Sequence, residues 1–174
     1  PSNTGLGSSS SFTVGLLHAL FALKGKMVTK GTLADMAAHL EVDVLGRNIG
    51  KQDHYAAAYG NLNVFTFHKD GAVSVDPVFY RPAVKSEIEG HLMLFYTALK
   101  RDANEILQTQ RARTDEKSHV LAEMKSLVAP LREILSSGEN LHEFGRTLHR
   151  GWLLKKSITD EVSSTQIDEY YERA

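Results

Sequence analysis

Three features of the sequence predict a mixed α/β chain. Most segments repeat apolar residues at helical spacing. Two short alternating runs bracket Lys69-Asp70-Gly71, and an apolar run over 91–98 has the length and composition of a strand. The 174 residues are 42% hydrophobic, enough for the core of one ordinary domain or two small ones.

The elements follow in order. Ser10 to Leu23 reads as a helix with Phe12, Leu16, Leu17, Leu20 and Leu23 on its apolar face, Ser10 or Ser11 as N-cap and Gly25 as C-cap. Thr32-Leu33-Ala34-Asp35 fits a capping box for a second helix, which buries Leu33, Met36, Ala37, Leu40 and Val44 and carries Glu41 and Asp43 near its end. Gly50 to Gly60 reads as a loop entering a short helix, with Gln52 and Asp53 in the first turn and small alanines that permit close packing. Asn63–Phe67 and Ala72–Val75 alternate as the strands of a hairpin. Pro77 and Pro82 punctuate a connector, and a domain boundary is placed near Val84, giving 1–84 and 85–174. Beyond the apolar run at 91–98, predicted to be buried on both faces, helices are expected over 102–113 and 116–135. Pro130 should kink or split the second of these. Further helices are expected after Asn140, with Leu141, Phe144, Leu148 and Trp152 as core stripe, and over 163–171.

Composition narrows the function. A formal net charge of −1 gives no support to a nucleic-acid surface, and no apolar run approaches a membrane span. The absence of cysteine rules out thiolate metal sites and a cysteine nucleophile, and suits a cytoplasmic protein. The eight histidines show no ligand spacing and read as structural or surface groups.

The chemistry centres on Gly5-Leu6-Gly7 and the serines Ser8–Ser11, which run straight into a helix. A Gly-rich turn lets backbone N–H groups approach an anion, and a helix start adds unpaired donors and the positive dipole end. The stretch is neither a Walker loop, since no Lys follows the second glycine, nor the dinucleotide fingerprint, since the third glycine is missing. Glu41 and Asp53 are separated by a Gly-containing bend that could fold both toward this cradle. A cradle, a hydroxyl and carboxylate for Mg²⁺, and a second carboxylate beside the acceptor are what phosphoryl transfer needs. Taken alone, Glu41 also fits a solvated helix residue, and Asp53 an N-cap.

Pro1-x-x-x-Gly5-Leu6-Gly7-Ser8-Ser9-Ser10-Ser11 closely resembles the second signature motif of the galactokinase/homoserine kinase/mevalonate kinase/phosphomevalonate kinase (GHMP) superfamily. Glu41, twelve residues before Asp53, is similar to that family's spacing of magnesium ligand and catalytic aspartate. Gly50-Lys51-Gln52-Asp53-His54-Tyr55-Ala56-Ala57-Ala58-Tyr59-Gly60 resembles the D-glycero-D-manno-heptose 7-phosphate kinase branch and its relatives, including fucokinase. Leu94-Phe95-Tyr96-Thr97, Arg101-Asp102-Ala103 and Trp152-Leu153-Leu154-Lys155-Lys156 resemble the same branch.

The resemblance implies a cytoplasmic sugar kinase that uses ATP and Mg²⁺ to phosphorylate the anomeric hydroxyl of a heptose 7-phosphate. Its partner is a small sugar phosphate, without nucleic acid or membrane, and a homo-oligomer is allowed. Gly5, Leu6, Gly7, Ser8, Ser9 and Ser10 would wrap the ATP phosphates, Ser9 (or Ser8) and Glu41 would hold Mg²⁺, and Asp53 would act on the sugar hydroxyl. Lys51, Gln52 and Arg101, with Lys155 and Lys156, are candidates for the substrate. The implied fold is a ribosomal S5 domain 2-like half followed by the start of a ferredoxin-like half, both incomplete. The family's first and third motifs are not found here, so the sequence resembles the interior of a longer kinase, which argues against activity of this segment alone. The alternatives are a fucokinase- or galactokinase-like enzyme and a truncated, non-catalytic nucleotide- or sugar-binding module.

Overall fold

The computed structural model describes residues 6–97, 114 and 116–173. The described residues up to Pro77 form one compact unit, and those from Val78 onward a second. The predicted class is the class observed: mixed α/β, mainly helical, with a small sheet.

The first unit is built on three helices and a hairpin. Helix α1 spans Ser8–Leu23, α2 Lys30–His39 and α3 Gln52–Tyr59, and a single π-helical turn, Leu40–Val44, extends α2. Gly7 caps α1 in the left-handed region at φ 65°, where a side chain is strained, so the helix begins before the serines expected to cap it. The predicted apolar face of α1 is also wrong except at Leu17. Phe12, Leu16, Leu20 and Leu23 are exposed, while Ser10, Thr13 and Val14 are buried, with Leu17 and Phe21 packed alongside. The sequence carries two apolar stripes, and the inward one is the stripe that also brings Ser10 and Thr13 to a buried carboxylate.

Helix α2 starts at Thr29, whose hydroxyl accepts from the Thr32 amide, so the capping box proposed at Thr32–Asp35 does not form. Leu33, Ala34, Ala37 and Ala38 are its buried residues, whereas Met36 and Val44 are exposed. Val14, Leu33 and Ala37 make the core, with Leu17, Phe21, Val28 and Ala58 against them. Close approach of α2 and α3 depends on Gly31, where an added β-carbon would sit 3.1 Å from the Tyr59 hydroxyl. Of the alanines of α3, Ala58 packs on the core while Ala56 and Ala57 are exposed.

Strands β1 (Asn63–Phe67) and β2 (Val73–Pro77) pair antiparallel with Phe65 opposite Val75, the hairpin expected, with its second strand displaced slightly toward the C-terminus. Asp70 closes the connecting turn by accepting from the Ala72 amide. Tyr55 and Tyr59 stack with ring centroids 6.1 Å apart, and Phe65 meets both edge-on, which joins the hairpin to α3. Tyr55 also donates a short hydrogen bond to Asp35; burial and that carboxylate push its hydroxyl pKa above the ordinary range.

The second unit contains α4 (Pro82–His91), α5 (Ser118–Ser126), α6 (Val128–Ser137), α7 (Leu141–Lys156) and α8 (Thr165–Arg173), with a 3₁₀ turn at Asp160–Val162. Pro82 begins α4, the place where a missing N–H is harmless, and does not lie in a connector. The helix expected over 116–135 is split at Leu127, leaving Pro130 in the first turn of α6. The stripe expected on α7 is only half-buried, and Leu148 is exposed. Gly138 ends α6 at φ 71°, and a β-carbon there would overlap Val84 and crowd the Arg81 guanidinium at 2.9 Å.

The strand predicted at 91–98 is not formed over its described residues. His91 ends α4, and 92–97 carry no regular structure, with Leu92 to Tyr96 exposed. A strand exists by pairing, and among the described residues β1 and β2 pair only with each other. The helix expected over 102–113 lies outside the described residues.

Candidate functional site

Glu41 is the centre of the site. It lies in the π-helical turn after α2 and is 2% exposed. A carboxylate this deeply buried must be surrounded by donors. Thr13 donates to Oε1 at 2.9 Å. Ser9 and Ser10 donate to Oε2 at 3.2 Å and 3.4 Å, and Nε2 of the fully buried His54 lies 3.1 Å from the same oxygen. The Arg47 guanidinium stands 3.7 Å from Oε1, its backbone folded back by a hydrogen bond to the Glu41 carbonyl. Burial alone would raise the pKa of Glu41. The Thr13 hydroxyl, His54 and Arg47 outweigh it and hold the carboxyl below its ordinary 4.5.

Asp53 sits one residue before His54, in the exposed first turn of α3. A β-carbon added at Gly7 would lie 3.5 Å from its carboxyl carbon, so Asp53 abuts the turn that starts α1. Leu6, Gly7, Ser11, Asp53, Ala56 and Ala57 line an open cleft of about 320 Å³ there. Lys51, not Asp53, occupies the N-cap position of α3.

The structure thus gathers Gly7, Ser9, Ser10, Glu41 and Asp53 at one end of α1. Leu6 and Ser8 belong to the same turn, and the buried Ser10 turns its hydroxyl inward to Glu41. Lys51 and Gln52 are exposed at the start of α3. Gly5 and Arg101 lie outside the described residues. Lys156, in the second unit, pairs with Asp168 at 2.7 Å, and Lys155 is exposed. The sequence reading missed His54, Thr13 and Arg47. Thr13 was legible as a polar position three and four residues beyond Ser10 and Ser9 on one helix face. His54 was legible as the neighbour of Asp53, turned inward by the helical step of about 100°.

Chemically, the arrangement joins a helix N-terminus, which favours an anion, to two carboxylates, which disfavour one. A polyphosphate entering the cleft is compatible with both only if a cation comes with it. Among the described residues no cluster of three or more His, Cys, Asp or Glu side chains forms a metal site. Mg²⁺ needs fewer protein ligands and prefers hard oxygens. Ser9 Oγ and Glu41 Oε2, 3.2 Å apart, approach the edge of about 3.0 Å expected of an octahedron with bonds near 2.1 Å. This donor set fits the ion.

Residues 1–61 match the family of GHMP kinases N terminal domains. The chain is 29% identical to a D-glycero-alpha-D-manno-heptose 7-phosphate kinase of Campylobacter jejuni, over the whole of this chain and 52% of the relative. It is 24% identical to a bifunctional fucokinase/GDP-fucose pyrophosphorylase of Arabidopsis thaliana, over 99% of this chain and 17% of that one. Among solved structures, a D-glycero-D-manno-heptose 1-phosphate kinase from Bacteriodes thetaiotaomicron superposes with a TM-score of 0.71 at 29% identity, over 90% of this chain and 45% of that chain. The chain therefore spans about half the length of the heptose kinases it matches. No described helix is long and apolar enough to cross a membrane.

Proposed function

We propose that this chain carries the nucleotide- and metal-binding part of an ATP-dependent kinase that phosphorylates the anomeric hydroxyl of a heptose 7-phosphate. Residues 1–84 form the later part of the ATP-binding domain in this reading, and 85–174 the earlier part of the domain that follows. The observation that carries it is the convergence of Asp53 on Gly7 and of Glu41 on Ser9 at one helix N-terminus.

The first-turn amides of α1 and the Gly5–Ser10 stretch hold the ATP phosphates, aided by the helix dipole. Ser9 and Glu41 would hold Mg²⁺, which when bound neutralises charge on the β- and γ-phosphates. Asp53 accepts the proton of the sugar hydroxyl as that oxygen bonds to the γ-phosphorus and the bond to the ADP oxygen breaks. Lys51, Gln52 and Arg101 are assigned to the sugar phosphate, and the protein acts in the cytoplasm.

Asp53→Asn in the intact kinase should lower kcat by about 10²–10⁴-fold and leave ADP binding intact. Undiminished turnover would remove Asp53 from this role. The fucokinase relative, at lower identity, favours a second reading with an unphosphorylated sugar as acceptor. ATP consumption over a panel of free and phosphorylated heptoses, fucose and galactose separates the two.

A further inference from the structure

His54 is the buried group that this mechanism leaves without a task. Its ring is fully buried, and its polar contact through Nε2 is with Oε2 of Glu41. Nδ1 is buried with no partner among the described residues. A histidine that serves as structural glue ordinarily uses both nitrogens, since an unpaired buried polar atom is destabilising. Here packing holds the ring, and its hydrogen bonding is committed to one carboxylate oxygen. A bare nitrogen facing that oxygen would repel it, so the proton belongs on Nε2.

That oxygen is the one nearest Ser9. When Ser9 Oγ turns a lone pair toward a cation, its hydrogen bond to Oε2 is given up. Thr13 and Arg47 hold the other oxygen, so Oε2 is then oriented by His54, with the longer contact from Ser10. His54 is also bonded directly to Asp53. One turn of α3 therefore aims Asp53 at Gly7 and His54 at Glu41, and its position sets the spacing of both carboxylates.

We infer that His54 is a positioning residue: it holds Glu41 Oε2 in the orientation that accepts the divalent cation and ties that oxygen to Asp53 through the first turn of α3. The inference rests on the proposed role of Glu41 and Ser9 in holding the ion.

The test is a Mn²⁺ titration of the intact protein with ADP, read by electron paramagnetic resonance, beside thermal melts. His54→Leu should weaken Mn²⁺ binding by roughly 10–100-fold, and His54→Gln, which restores an N–H donor, should recover most of it. The imidazole ¹⁵N spectrum of the metal-free protein should show the Nε2–H tautomer. If Glu41→Gln abolishes Mn²⁺ binding while folded His54→Leu binds like wild type, or His54→Gln gives no recovery, His54 loses this role and the metal site stands. If Glu41→Gln binds Mn²⁺ like wild type, the metal site itself falls. Should His54→Leu fail to fold, His54→Asn takes its place, polar but too short to reach Oε2. Equal Mn²⁺ affinity of the Asn and Gln variants then overturns the inference.

Discussion

Glu41 and Asp168 are both carboxylates held below their ordinary pKa by hydrogen-bond donors, one in each unit, and they differ in where those donors come from. Glu41 gathers donors from α1, from the loop after its own turn and from α3, and is almost sealed from water. Asp168 accepts from Lys156 at 2.7 Å and Ser163 at 2.6 Å, partners just before it in the chain, with about a third of its side chain in solvent. Both lower a pKa. Sealing a charge inside three elements, though, is a poor way to gain stability, because desolvation offsets most of the attraction. A local, wet pair ties a turn to a helix at little cost. The donors around Glu41 therefore fit the binding role proposed for it, and Asp168 is a structural tie.

The widest gap between the two regions is predicted at Glu41 itself. Glu41→Ala would leave the Ser10 and Thr13 hydroxyls, His54 and Arg47 facing a void, and should destabilise the first unit by about 3–5 kcal/mol. Urea denaturation at neutral pH, followed by the fluorescence of the Tyr55–Tyr59 cluster, measures it. A loss below about 1 kcal/mol would show that solvent already reaches Glu41, and the contrast with Asp168 would disappear.

Two left-handed glycines sharpen the comparison. Gly7 needs its freedom for φ alone, since a β-carbon there makes ordinary contact with Asp53. Gly138 needs it for φ and for space, because a β-carbon would overlap Val84. Gly138→Ala should therefore cost about 2–4 kcal/mol and Gly7→Ala about 1–2 kcal/mol, each read from its own unfolding curve. Of the two, only Gly7→Ala should also weaken ADP binding, because it disturbs the turn between the phosphate cradle and Asp53. The reverse order of stabilities would mean that α4 and α6 pack less tightly than the Val84 contact implies.

These differences explain what could be read in the sequence. The hairpin was legible because alternation in Asn63–Phe67 and the Asp70-Gly71 turn are local signals. The short helix at Gln52–Tyr59 was legible from its bracketing glycines. The meeting of Glu41 and Asp53 with the Gly7 turn was foreseen from motif spacing, yet the ring of donors was not. The face of α1 was misread because two apolar stripes compete along it. The winner is decided by Ser10 and Thr13 turning toward a residue about thirty positions away, a tertiary preference that periodicity does not record. The run at 91–98 misled for the opposite reason: its composition suits a strand, but pairing is a property of the neighbours and not of the run.

The smallest effect belongs to Asp168. Its folded pKa lies below the ordinary 3.8, chiefly through the hydrogen bond from Lys156 and then that from Ser163. A depressed carboxylate contributes stability above its unfolded pKa and loses that contribution as pH falls through the folded one. Asp168→Asn should thus lower the melting temperature slightly and by a constant amount from pH 7 to about pH 5, and the gap to wild type should close below about pH 4. Added salt should shrink the same gap at neutral pH, because the pair is reached by solvent. A gap that persists in acid would mean that the Lys156 charge is not what Asp168 answers. The tie would then lie in the Ser163 hydrogen bond, kept by the protonated aspartate and lost in the asparagine variant.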